Sequence, residues 1–158
     1  MFDTIAGLPL HPLVVHAVIV LVPLAALGAI VVAVKPSWDR TYGWLVVLTA
    51  LVATGASFVA KESGEQLAGR VGLPADHQQI ARLMPVFSGL LLLAVAALWW
   101  WDRKGEDTPD RTRTVLAVLT TLAALFALIW AIRAGHSGAT AVWKPIVDNT
   151  TPGSFPVG

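Results

Sequence analysis

Four long apolar stretches dominate this sequence, at about residues 13–34, 42–60, 84–101 and 115–134. Each is close to the ~20 residues an α-helix needs to cross the hydrocarbon core of a bilayer. None carries a charged residue in its middle, as expected where a charge at bilayer depth is costly. In lipid every backbone N–H and C=O must be satisfied within the chain, and runs of this length do so as helices. The expectation is an all-α, integral membrane four-helix bundle. Residues 1–147 would form one four-span domain, and 148–158, with its Asn, Thr, Pro and Gly, a flexible tail. Composition agrees: 56% of residues are hydrophobic and 13% charged, against roughly 25% charged in a soluble domain. Met1–Pro12 has no Lys or Arg, and an apolar run of this length exceeds a signal-peptide core, so the first stretch reads as a retained span.

Prolines sort the helix ends. Pro12 suits a first helical turn, Pro36 closes span one, and Pro74 precedes span three. Pro23 and Pro85 fall inside helices and should kink them, which membrane helices tolerate. Span four shows no strong small-xxx-small stripe, so no dimer face stands out.

Orientation follows from Lys and Arg in the short loops. Lys35, Arg40, Arg103, Lys104, Arg111 and Arg113 lie on one side; Lys61, Arg70, Arg82, Arg133 and Lys144 lie on the other. The dense 103–113 cluster and the bare N-terminus favour both termini outside, in a bacterial cytoplasmic (inner) membrane. Trp38, Trp44 and Trp99–Trp101 then form an inner aromatic belt, with Trp130 and Trp143 at the outer one.

The chain has four histidines: His11, His16, His77 and His136. Alternating topology puts all four on one membrane face, the outer one. At ~1.5 Å rise per residue, His16 falls at the height of His136, and His11 at that of His77. Each pair joins two helices, as a metal or haem site in a bundle needs. Nearby on the same side lie Glu62 and Glu65, i and i+3 on one helix face, with Arg82 and Arg133. Cations could hold haem propionates, and a carboxylate could orient an imidazole. The bland alternative is a set of interfacial side chains with snorkelling Lys and Arg.

There is no cysteine, which excludes disulfides, thiolate metal sites, iron–sulfur clusters and covalently attached haem. Neutral imidazole suits haem iron, copper or zinc. A b-type haem needs two imidazoles and a large apolar slot; Gly28, Gly55, Ala56, Gly89 and Gly135 are small enough to make room. Copper or zinc on the four His needs less space. No Walker loop, dinucleotide fingerprint or HExxH motif occurs, and a net charge of +1 offers no face for nucleic acid.

The start LPLHPLVVHAVIVLVPL, with its HP-x-x-x-H, resembles the opening signature of the bacterial membrane family known as domain of unknown function 2231. Three further segments agree with it: ESGEQL after span two, ADHQQIARL before span three and GHSGATAVW after span four. The chain departs at Ala139 and Trp143, where the family commonly has Gly and Tyr. It departs again at Ala17 and Val18, where Phe-Pro is common, and some relatives carry Asp in place of His16. The resemblance implies a four-helix membrane domain. Fusion of relatives to cytochrome c or Rieske-type modules implies haem-linked redox work.

Three readings follow. In the first, the histidines hold b-type haem near the outer face and exchange electrons with quinol or an extracytoplasmic redox protein. In the second, they hold copper or zinc. In the third, the chain is an accessory or structural subunit whose polar end docks a partner. An electron carrier or accessory subunit fits better than a stand-alone enzyme.

Overall fold

A computed structural model describes residues 4–5, 7–72, 75–104 and 111–150. Two short strands, β1 (Thr4–Ile5) and β2 (Leu8–Pro9), pair antiparallel. Gly7, at φ 81°, supplies the left-handed turn residue between them. Five helices follow: α1 (Leu10–Val34), α2 (Pro36–Val71), α3 (Ala75–Ala81), α4 (Met84–Asp102) and α5 (Arg111–Asp148). The all-α bundle is as expected, and the hairpin is a small addition to it. Pro74 and the tail beyond Thr150 lie outside the described residues.

Four helical segments, Leu10–Val34, Pro36–Gly69, Ala75–Asp102 and Arg111–Asp148, are long and apolar enough to cross a membrane. They pack as a square in which α1 touches α2, α2 touches α4, α4 touches α5 and α5 returns to α1. Helices α2 and α5, with 36 and 38 residues, are roughly 55 Å long at 1.5 Å per residue. A hydrocarbon core is only ~30 Å thick, so both continue well past their apolar runs.

The sequence explains the breaks. Only Lys35, extended at φ −118°, separates α1 from α2, and Pro36 opens α2 at a position where its missing N–H costs no helix bond. Pro85 does more than kink a helix. It lacks the N–H that would bond the Ala81 carbonyl, and its ring crowds that carbonyl. Helix α3 therefore ends at Ala81, and α4 restarts at Met84 after a tight turn through Arg82 and Leu83.

The core is made of small residues. Ala25, Ala26, Ala29 and Ala33 of α1, Ala50 and Ala53 of α2, and Ala124, Ala127 and Ala131 of α5 are all buried. Leu91, Leu98, Val22 and Val95 are buried with them, but many other bulky Leu, Ile and Val side chains point outward, Leu93 and Ile132 among the most exposed. That inversion suits lipid, where close backbone approach and not hydrophobic exclusion holds helices together. Span four does carry a small-residue stripe, Thr120–Ala124–Ala127–Ala131. It was not apparent among the large apolar residues, and it faces the bundle and not a second copy. Thr120 also donates from Oγ1 to the Ala94 carbonyl, 3.1 Å away across the α4–α5 seam. The buried Thr54, Ser57 and Ser88 hydroxyls return to carbonyls four residues back, so none is left unpaired.

Candidate functional site

The start of α1, the far end of α2, α3 and the far end of α5 enclose a cavity of about 420 Å³. That is within the range of ~300–1,000 Å³ typical of ligand and cofactor pockets. Its wall is mainly apolar, with Val15, Val18, Ile19, Met84 and Ala131 among the lining residues. His11, His16, His77, Lys61, Glu65 and Arg82 also line it.

Two imidazoles are fixed by matching devices. His11 Nδ1 lies 2.9 Å from the Ala60 carbonyl of α2. A carbonyl only accepts, so Nδ1 carries the hydrogen. His77 Nδ1 lies 2.9 Å from Ser137 Oγ of α5. The Ser137 hydroxyl spends its own hydrogen on the Ala134 carbonyl at 3.0 Å, so here too Nδ1–H donates. Each ring is left with a lone pair on Nε2. A back-bonded Nδ1–H is the usual support of an imidazole whose Nε2 binds a metal.

Glycines make room for both rings. A Cβ on Gly64 would stand 2.8 Å from His11 Cε1, and one on Gly138 would stand 3.1 Å from His77 Cε1. Of the two pairs expected by height, His11 and His77 both line the cavity, whereas His16 does and His136 does not.

The other candidates sort differently. His16 lines the cavity and donates its Nδ1–H to the Pro12 carbonyl in its own helix. His136, one residue from Ser137, is exposed and is not part of the lining. Arg133 stacks its guanidinium 4.9 Å from the Trp130 ring and stays outside the cavity. Glu62 and Glu65 both pair with Lys61, at 2.8 and 3.0 Å; only Glu65 reaches the cavity wall. Among the described residues no group of three or more His, Asp or Glu is disposed to hold a metal ion.

Trp130 serves as more than an interface anchor. Its Nε1–H donates to the Ile80 carbonyl at 2.8 Å, and its ring packs 4.7 Å from Phe87. The first contact ties α3, and with it His77, to α5; the second ties α4 to α5.

The sequence profile of a family described as predicted membrane proteins, domain of unknown function 2231, matches residues 7–151. The chain belongs to this family. No curated protein and no solved structure matches it. The four segments that carry the resemblance to domain of unknown function 2231 all end at the cavity. They bring His11 and His16, then Gly64 and Glu65, then His77 and Arg82, then Gly135 and Gly138. Ser137, Gly64 and Gly138 were not singled out as ring supports from sequence. Their only signal was their place within ESGEQL and GHSGATAVW. Of the glycines expected to make room, Gly135 lines the cavity. Gly28 instead faces Val46, and Gly55 faces open space.

Proposed function

We propose that this chain is a membrane redox protein that holds b-type haem between His11 and His77. What supports the reading above all is the paired anchoring of the two imidazoles. Both rings commit Nδ1–H to a fixed acceptor on a neighbouring helix, leaving two Nε2 lone pairs at one apolar cavity. Two such imidazoles would be the side chains to hold haem iron. Bound haem would supply a one-electron couple.

The chain's own residues supply the rest. Gly64 and Gly138 let the rings sit against α2 and α5. Val15, Val18, Ile19 and Met84 would give the haem ring an apolar wall. Lys61 and Arg82, both in the lining, offer cations to propionates. The electron partner would be quinol, reached through the lipid, or an extracytoplasmic redox protein. The Lys/Arg distribution favours a bacterial cytoplasmic membrane with both termini and the histidines on the outer face. A compact copper or zinc site draws less support, since no three ligand side chains gather among the described residues.

The test is a reduced-minus-oxidised absorbance spectrum of protein produced with ample haem supply. Expected are a Soret band and sharp α and β bands on dithionite reduction. They should be lost in His11→Ala and His77→Ala and kept in His136→Ala. A haem-replete preparation without these bands would overturn the proposal. Stoichiometric copper or zinc in its place would select the metal reading. A colourless, metal-free protein that purifies with one stoichiometric partner would select the accessory-subunit reading.

A further inference from the structure

The opposite end of the bundle holds a second polar cluster, unrelated to the histidines. Asp39, in the first turn of α2, is 0% exposed. A first-turn aspartate ordinarily accepts hydrogen bonds from the free amides of its helix. Asp39 does not: neither of its carboxyl oxygens has a hydrogen-bond donor among the described residues. Another acid faces it: Asp102 at the end of α4, whose carboxyl lies within hydrogen-bonding reach. Asp102 is itself 8% exposed.

One cation serves the pair, and it is spent on Asp102. Arg113 of α5 places Nε 3.1 and 3.2 Å from the two Asp102 oxygens. A terminal nitrogen of the same guanidinium donates to the Ala33 carbonyl of α1 at 3.2 Å. Four other cations at this end have contacts of their own. Lys35 lies over Trp38, Arg103 over Trp99 and Lys104 over Trp101; Arg40 has interactions of its own. Two ionised carboxylates side by side in such a place repel, and an unpartnered buried charge is among the most costly features a fold can carry.

A proton removes both problems. Carried on Asp39, it gives the missing hydrogen bond to Asp102 and leaves Asp102⁻ and Arg113⁺ as a neutral pair. A metal ion would not do so. Arg113 already faces the pair, and on the Gly43 side there is no space beside Asp39. Even a Cβ on Gly43 would collide with Asp39 Oδ1 and the Trp99 ring. We propose that Asp39 and Asp102 bind one proton between them, forming a protonatable site at the bundle end opposite the histidine cavity.

The experiment uses the full chain in detergent or lipid. Infrared spectra in deuterated buffer at neutral pH should show a protonated carboxyl C=O band that Asp39→Asn removes. Thermal unfolding followed against pH gives a second readout. Wild type should lose stability as pH rises, because the folded state binds the proton more tightly than the unfolded chain does. Asp39→Asn, whose amide donates permanently to Asp102, should match wild type where Asp39 is protonated and lose this dependence on pH. Absence of the carboxyl band in wild type at neutral pH would overturn the proposal, whatever the variant does. So would a band that survives Asp39→Asn, or a variant that keeps the wild-type loss of stability as pH rises above the ordinary carboxylate range.

Discussion

Gly64→Ala and Gly55→Ala place the same methyl group on the same helix, 9 positions apart, with opposite expected outcomes. At Gly55 a Cβ meets nothing within 4 Å. The change should therefore give only the helix-propensity gain of alanine over glycine, about 0.5–1 kcal/mol. At Gly64 the new Cβ would stand 2.8 Å from His11 Cε1, where ordinary carbon contacts are about 3.5–4.0 Å. The imidazole must then withdraw by roughly 1 Å. Its Nδ1···O distance to Ala60, now 2.9 Å, would stretch beyond hydrogen-bonding range. Losing that bond costs about 1 kcal/mol, and the overpacking another 1–3 kcal/mol. Set against a propensity gain of about 1 kcal/mol, the net destabilisation is about 1–3 kcal/mol. Thermal unfolding of the two variants in the same detergent tests the ranking, and the haem spectrum reports the His11 position separately. A Gly64→Ala protein as stable as Gly55→Ala, with an unchanged spectrum, would refute the close-packing argument.

Trp130→Phe keeps the ring against Phe87 but removes the 2.8 Å bond to the Ile80 carbonyl. It should cost about 1 kcal/mol and raise amide hydrogen exchange in α3 more than in α1. Ser137→Ala deprives His77 Nδ1–H of its acceptor, a loss of about 1–3 kcal/mol. If the proposed haem is held there, the change should lower haem occupancy or shift the midpoint potential in a redox titration, while Ser137→Thr restores both. Arg113→Ala strands the buried Asp102 carboxylate and should destabilise by about 3 kcal/mol or more, measured by thermal unfolding. His136→Ala, at an exposed position outside the cavity, should change stability by less than about 0.5 kcal/mol.

The membrane architecture was legible in the sequence because it rests on one-dimensional quantities. Run length against bilayer thickness sets four spans, and the cost of a charge in hydrocarbon keeps polar residues at their ends. Alternation of direction then collects His11, His16, His77 and His136 at one end, and helical rise alone pairs His11 with His77. Helix boundaries were less legible. Helices α2 and α5 run on past their apolar segments, where polar sequence can continue a helix as readily as end it.

Three decisions needed the tertiary structure, because each depends on what lies across a helix seam. Rotation about the helix axis decides that His77 reaches the cavity and His136 does not, although both sit at suitable heights. Contact across a seam decides that Gly64 and Gly138 hold the imidazoles and that Trp130 pins α3. A sequence shows a glycine but not the ring that fills the space beside it. Convergence of three helices decides that Asp39, by sequence an ordinary first-turn aspartate, lies buried against Asp102 and Arg113. Spacing along one chain sets depth in the membrane; only packing between helices sets which side chains meet at that depth.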